Sequence, residues 1–168
     1  MVSQCHQQYR KKKKLKQLSN KERIELLEKK KIFQQSTESN NRISLNLEEL
    51  NEMKNFSFGS HTVFHPCLDM CSNEEALFEI KESKQQLEKL LNEKVLTLAF
   101  PDGSFGSREI QLSKESGYKA VLTSISGLNS FDFKSFELKR MSVVDHCSIY
   151  ELYLRTTGIW FFLRKFFH

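Results

Sequence analysis

Two histidines four residues apart are the strongest candidates for chemistry in this sequence. His61 and His65 lie within the segment Gly59–Pro66, just after a short apolar stretch and directly before a proline. On a helical turn, side chains at positions i and i+4 share one face, so both imidazoles could reach a single metal ion. The spacing therefore predicts two nitrogen ligands of a divalent metal site.

Two nearby cysteines leave a second kind of metal site open. Cys67 and Cys71 follow the histidines, so that four nitrogen and sulfur ligands lie within eleven residues, a tetrahedral zinc set by ligand type. The spacing differs from that of the usual two-pair zinc finger, and burial of the cysteines as small apolar groups is the simpler interpretation. A protein stabilised by a structural zinc ion of His61, His65, Cys67 and Cys71 is therefore an alternative.

Alternating strands and helices must position these residues. Apolar runs of strand length are Phe56–Phe58, Val95–Phe100, Lys119–Thr123 and Leu138–Val144. Amphipathic helical patterns separate the later runs, and one of them begins at a capping box formed by Ser72 and Glu75. This alternation predicts an α/β fold with a parallel sheet.

Loops that follow the predicted strands carry further candidate residues. Pro101, Asp102 and Gly103 come directly after one strand and form a turn by composition. Asp145 and His146 follow the last strand. Because sites in parallel sheets gather at the carboxyl ends of the strands, we expect both loops to meet the histidine pair at one rim.

Positive charge is concentrated at the beginning of the chain. The net charge is +5, and residues 1–35 hold eleven Lys/Arg against three Asp/Glu. The run Arg10–Lys14 could bind nucleic acid or an anionic surface. No aromatic side chains interleave with its lysines, so stacking on bases has little support, and a solvated helix is the simpler interpretation. A basic-armed interaction protein remains the other alternative, with nucleic acid not expected as the main partner.

Apolar patterning gives no sign of export or of a membrane span. The first residues lack the apolar stretch of a signal peptide, and the longest apolar run, Ile159–Leu163, is too short to cross a bilayer. As written, the sequence predicts a soluble cytoplasmic protein. The aromatic and basic tail at residues 159–168 could contact a membrane surface or pack on the body of the protein.

Several of these segments together resemble one enzyme family. The segment Gly59–Pro66 resembles the His-Thr-x-x-His-Pro motif of polysaccharide deacetylases, the NodB-type carbohydrate esterases. Glu74–Glu88 is similar to the helix that follows those histidines, Leu98–Gly103 to the proline loop, and Gly117–Val121 to the next strand. The resemblance covers about residues 45–145. It implies a partial distorted (β/α) barrel preceded by an N-terminal helical segment.

The resemblance also implies a reaction and roles for single residues. The family hydrolyses the N-acetyl amide of amino-sugar polymers with a divalent metal, for which Zn²⁺ is expected. Here His61 and His65 match the two histidine ligands. Pro101, Asp102 and Gly103 match the substrate-binding loop, with the amide of Asp102 at the oxyanion position. His146 is the candidate for the late catalytic histidine of the family.

One part of the family pattern has no counterpart in this sequence. The family carries a Thr-Phe-Asp-Asp segment on its first strand, which supplies the general base and the third metal ligand. The aspartates here are Asp69, Asp102, Asp132 and Asp145, and none lies in such a segment. We therefore expect an absent general base, weak metal binding and little or no activity of this chain alone.

The domain organisation follows from the same comparison. A basic helical segment is predicted at residues 1–44, a partial deacetylase domain at 45–158 and the aromatic-basic tail at 159–168. The chain resembles the C-terminal part of a deacetylase domain, without the first strands. An N-acetylated glycan is the expected substrate.

Overall fold

The computed structural model describes Leu15 and residues 18–29, 44–130, 135–143 and 145–164. Its helices are α1 (Asn20–Lys29), α2 (Leu47–Glu52), α3 (Asn73–Leu91), α4 (Ser107–Glu115), α5 (Ile149–Thr156) and α6 (Ile159–Arg164). Its strands are β1 (Thr97–Ala99), β2 (Ala120–Ser126) and β3 (Glu137–Arg140). Two short 3₁₀ turns lie at Leu68–Met70 and Pro101–Gly103.

The three strands form a parallel sheet in the order β1-β2-β3. Leu98 lies opposite Val121, and Leu122 lies opposite Leu138. The predicted parallel α/β architecture is confirmed. Helix α3 precedes β1, helix α4 connects β1 to β2, and the two helices pack against each other.

The stretch before the histidines is not the strand that alternation predicts. Phe56–Phe58 forms no strand, and pairing begins at Ser60, whose backbone makes one parallel bridge to Leu98. Ser60 N donates to the carbonyl of Thr97 (2.8 Å), and Ala99 N donates to the carbonyl of Ser60 (2.9 Å). Because β1 begins only at Thr97, the residues before Ser60 have no strand to extend.

Apolar side chains from α3, the strands and the turn after the histidines form the core. Its buried members are Leu68, Cys71, Ala76, Ile80, Val95, Leu98, Phe100, Tyr118 and Val121. Alternate positions of β1 and β2 face this core, as the pleat of a strand requires. The core thus lies directly beneath the rim that carries the candidate site.

The predicted start of α3 is confirmed in atomic detail. Glu75 N donates to Ser72 Oγ (3.2 Å), and Ser72 N donates to Glu75 Oε2 (2.9 Å), which completes a capping box. The helix ends at Asn92, whose left-handed backbone (φ 52°) is a common terminator. These two ends fix how α3 crosses the sheet between the histidine segment and β1.

Some predicted features lie outside the described residues. They include Cys5, the basic run Arg10–Lys14, Val144 and residues 165–168 of the tail. The domain boundaries after residues 44 and 158 stay predictions. Within the described ranges, no helix combines the length and the apolar character needed to cross a membrane.

Candidate metal centre

A tight turn, and not a helix, brings the two histidines together. Thr62 (φ 67°) and His65 (φ 53°) both adopt left-handed backbone conformations, which are uncommon outside glycine. The rings of His61 and His65 meet edge to face with centroids 4.8 Å apart, and both residues are exposed. The expected proximity is present, although the helical geometry from which it was predicted is wrong.

A buried carboxylate from α3 holds this turn. Glu79 is only 4% exposed, and its Oε2 accepts the backbone N–H groups of Val63 (2.8 Å) and Phe64 (2.9 Å). The two accepted hydrogen bonds satisfy this buried polar group, which offsets the cost of burying it. Its role is to fix the backbone between the two histidines.

A second contact with α3 fixes the residue before the histidines. The hydroxyls of Ser60 and Ser83 lie 2.6 Å apart in a buried position. Since the Ser83 hydroxyl donates to the carbonyl of Ile80 (3.1 Å), the hydrogen between the two serines comes from Ser60. The histidine turn is thus tied to α3 at both Ser60 and Glu79.

The orientation of the His61 ring follows from one hydrogen bond. His61 Nδ1 lies 2.7 Å from the carbonyl oxygen of Ala99, at the end of β1. A carbonyl can only accept, so Nδ1 carries the proton and Nε2 keeps its lone pair. Metal-binding histidines are commonly oriented in this way by a second partner. Nε2 is therefore the ring nitrogen of His61 that this hydrogen bond leaves available.

The Pro-Asp-Gly loop follows β1 directly and lies beside the histidine turn. Pro101 is buried, and Asp102 (φ 53°) and Gly103 (φ 66°) both have left-handed backbones. A side chain at Gly103 would overlap Ser124, because a Cβ there would lie 1.9 Å from its Oγ. Glycine is therefore required for this loop to pack on the end of β2.

Two side-chain contacts join this loop to the segment after the histidines. Cys67 Sγ donates to Asp102 Oδ2 at 3.8 Å, and the hydroxyl of Ser104 donates to Asp69 Oδ1. Together with the hydrogen bond between His61 and Ala99, these contacts place the histidine pair and the Pro-Asp-Gly loop at the same rim of the sheet.

These contacts do not include the candidate loop of Asp145 and His146. His146 lies in an exposed turn between β3 and α5. Within the described ranges, no hydrogen bond or ring contact joins it to His61 or His65. Its catalytic role stays a prediction.

The cysteines do not complete a structural zinc site. Cys67 and Cys71 are buried, and Cys71 Sγ contacts the backbone carbonyl of Cys67 at 3.5 Å. Burial first, and then the charges of Glu75 and Glu79, raise the pKa of the Cys71 thiol to about 11. Among the described residues, no group of three or more His, Cys, Asp or Glu side chains could hold a metal ion. The described residues therefore give no support to the four-ligand zinc interpretation.

Two supporting residues of the site were not assigned a role from the sequence. Besides Glu79, Arg108 of α4 donates to the backbone carbonyls of Leu68 (2.6 Å) and Cys71 (2.9 Å), and it pairs with Glu109 (2.5 Å). The turn after the histidines is thus anchored from both helices. Glu79 falls on the apolar face of its helix next to Ile80, and that position is the one sequence signal of its burial.

Two imidazoles lie together at the carboxyl end of a parallel strand, on a turn with left-handed backbone. A hydrogen bond to a backbone carbonyl fixes the orientation of one of them, His61. Such a rim is where α/β folds place their sites. Two neutral imidazoles suit a borderline cation such as Zn²⁺. The residues present therefore fit part of a divalent metal site.

Comparison with known proteins identifies the family. The family model described as "Polysaccharide deacetylase" matches residues 20–121, more than half of the sequence. The chain therefore belongs to the polysaccharide deacetylase family. Among the curated proteins, none matches this chain.

Solved structures agree with this assignment. The deacetylase PplD of Streptococcus pyogenes, in complex with acetate, is 31% identical with a TM-score of 0.62, and the match covers 66% of this chain and 50% of that chain. A polysaccharide deacetylase from Bacillus cereus is 24% identical, with a TM-score of 0.57 and coverage of 66% and 36%. A de-N-acetylase from Aggregatibacter actinomycetemcomitans is 12% identical, with a TM-score of 0.59 and coverage of 71% and 58%.

The two structures below 25% identity support the fold alone. In each of the three matches the chain spans less than two thirds of the other protein, and it spans half of PplD. The family and the partial barrel are thereby confirmed, whereas the activity of this chain is a separate question.

Proposed function

We propose that this chain forms part of a metal-dependent hydrolase that removes N-acetyl groups from an amino-sugar polymer. One observation carries the proposal: His61 Nδ1 is bonded to the Ala99 carbonyl at 2.7 Å, which leaves Nε2 for a cation beside the Pro-Asp-Gly loop. Membership of the polysaccharide deacetylase family supports the substrate class. PplD was solved with acetate, and acetate is what hydrolysis of an N-acetyl group releases.

His61 and His65 are the proposed ligands of a divalent cation, with Zn²⁺ as the first choice. When bound, such an ion lowers the pKa of water and polarises a carbonyl group. Catalytic zinc sites normally have three protein ligands. We therefore expect the two imidazoles to bind zinc weakly.

The Pro-Asp-Gly loop is proposed to orient the acetyl group. The loop begins two residues after Ala99, whose carbonyl orients the His61 ring. The end of β1 therefore positions both the loop and the ring. The backbone N–H of Asp102 would donate to the acetyl oxygen as negative charge develops there. His146 is the candidate acid for the leaving amine.

The general base and the third ligand are proposed to come from outside these 168 residues. Glu79 already accepts the backbone N–H groups of the histidine turn. Two carboxylates of the neighbouring loops accept side-chain hydrogens, Asp69 from Ser104 and Asp102 from Cys67. Both thereby tie loops together. We propose that the chain alone hydrolyses its substrate slowly until a carboxylate is supplied.

Acetate release from an N-acetylglucosamine oligomer, with zinc or cobalt added, tests this function. We expect metal-dependent release that is far slower than the turnover of about 1 s⁻¹ or more of ordinary enzymes. The His61→Ala/His65→Ala double variant should lose it. Turnover at an ordinary rate would contradict the missing base, and metal-independent release that survives in the double variant would contradict the function.

A further inference from the structure

Two exposed phenylalanine rings lie immediately beside the histidine turn. Phe64, between the two histidines in sequence, is 66% exposed, and Phe78 on α3 is 50% exposed. Glu79, the residue after Phe78, accepts the Phe64 backbone N–H at 2.9 Å and so ties the two segments together. Neither ring contributes to the core, so packing does not explain why large apolar side chains occupy these positions.

The rings line a cavity of about 360 Å³ whose other walls are mostly acidic. Its lining residues are Phe64, Cys71, Glu74, Glu75, Phe78 and Glu79. The volume lies within the range of small-molecule sites, which combine aromatic walls with a few polar groups. No lysine or arginine is among these lining residues, so the wall carries net negative charge.

The carboxylates of this wall differ in how they are used. Glu79 is committed to the histidine turn, and Glu75 accepts the Ser72 N–H in the helix cap. Glu74 is exposed, and hydrogen bonds from its own backbone and from Ser72 hold the pKa of its carboxyl below the usual value. Glu74 therefore contributes an exposed carboxyl group to the lining of the cavity.

A cavity with aromatic rings and carboxyl groups in its walls favours an ammonium group attached to a sugar ring. The faces of aromatic rings attract ammonium groups, and carboxylates strengthen that attraction. A neutral acetylated sugar gains only the contact with the rings, whereas an aminosugar gains both. Phe64, the residue before His65, lines the cavity, so the cavity adjoins the histidine turn.

Deacetylation itself produces such a ligand. The amide C–N bond breaks, the oxygen of water forms a bond to the acetyl carbon to give acetate, and both protons of that water go to the nitrogen, which becomes an ammonium group. We propose that the cavity between Phe64 and Phe78 binds a deacetylated, cationic unit of the same glycan, so that partly deacetylated polymer is held in preference to fully acetylated polymer. This inference rests on the proposed function for the identity of the polymer.

Calorimetric titration of the full chain tests the cavity without metal or turnover. The probes are a tetramer of β-1,4-linked glucosamine and the same tetramer fully N-acetylated. The free-amine tetramer should bind about tenfold more tightly, and its affinity should fall as salt is raised. Phe78→Ala and Glu74→Gln should each weaken its binding about fivefold or more.

Matched variants separate this site from general surface effects. Phe56→Ala removes another exposed phenyl ring, and Glu82→Gln removes another carboxylate of α3; neither residue lines the cavity. Both should bind the free-amine tetramer as the wild type does. Circular dichroism checks that every variant is folded.

Equal affinity for the two tetramers, or unchanged binding by Glu74→Gln and Phe78→Ala, would overturn the proposed cavity. These outcomes are independent of the deacetylase assay. If the wild-type chain binds no zinc or releases no acetate, the proposed function is refuted, whereas selective binding of the free-amine tetramer would still support the cavity. Equal binding of the tetramers would refute the cavity while leaving the metal site intact.

Discussion

His61 and His65 are held in different ways. A backbone carbonyl 2.7 Å away fixes the ring of His61, whereas His65 is set by its own left-handed backbone directly before Pro66. Such a conformation costs a non-glycine residue about 1–2 kcal/mol, and a following proline restricts it further. Strain of this kind persists where surrounding contacts impose it, and here Glu79 provides them.

Removing the Glu79 carboxylate should release this turn. Glu79→Ala leaves the N–H groups of Val63 and Phe64 without their acceptor, and we expect the free energy of unfolding to fall by about 3 kcal/mol. Urea denaturation measures the change. Glu82→Ala, which removes a carboxylate of the same helix that accepts a hydrogen bond from Gln86, should cost less than about 0.5 kcal/mol. Equal stability of the two variants would contradict the role of Glu79.

The sequence predicts the candidate site residues better than it predicts the contacts that fix their positions. The spacing of His61 and His65 indicated a pair, and the rings do meet. The acceptor of the His61 proton lies 38 residues away, and the carboxylate that fixes the turn lies 16 residues from Val63. Contacts of that range depend on the packing of α3 and β1, which no local pattern encodes.

Helix α3 is the element that organises the site. Glu79 and Ser83 hold the histidine turn on one side. Further along, Lys84 donates to the Val95 carbonyl and pairs with Glu88 at 3.0 Å, while Glu88 accepts Val95 N at 3.0 Å. The same helix thus positions both the histidines and the beginning of β1.

Periodicity and capping predicted α3 closely, because both are local properties of the sequence. The strand predicted at Phe56–Phe58 was wrong, since strand pairing depends on a partner and β1 begins only at Thr97. The strand predicted at Val95–Phe100 is shortened to Thr97–Ala99 for a similar reason. Apolar runs indicate burial more reliably than they indicate where hydrogen-bonded pairing begins.

The Pro-Asp-Gly loop gives a prediction for a single element. Gly103→Ala must place a Cβ against Ser124 as well as adopt φ 66°, whereas Gly117→Ala adopts φ 80° with no atom within 4 Å. We expect Gly117→Ala to cost about 1 kcal/mol from backbone strain. Gly103→Ala should cost about 1–3 kcal/mol more because of the overlap.

Chemical denaturation of the two glycine variants separates strain from packing. Similar losses of stability would show that the loop does not pack against the end of β2. In that case the placement of Asp102 beside the histidines would lose its structural basis.

The molecule as a whole presents the histidine pair and the Pro-Asp-Gly loop at one rim of a partial barrel. In the described ranges, the sheet has three parallel strands and one bridge at Ser60, and the site lies at their carboxyl ends. The fold class was predictable because strand and helix alternate along the sequence. No residue could be assigned from the sequence as the third metal ligand or the general base, because the sequence holds no Thr-Phe-Asp-Asp segment. Among the described residues, no cluster supplies these groups either.

Zinc titration of the full chain tests the central claim most directly. We expect weak binding that falls at least about tenfold in His61→Ala and in His65→Ala. His146→Ala and the Cys67→Ser/Cys71→Ser variant should bind zinc as the wild type does. Zinc affinity that is unchanged by both histidine substitutions, or that is lost with the two cysteines, would contradict the assignment of His61 and His65 as metal ligands.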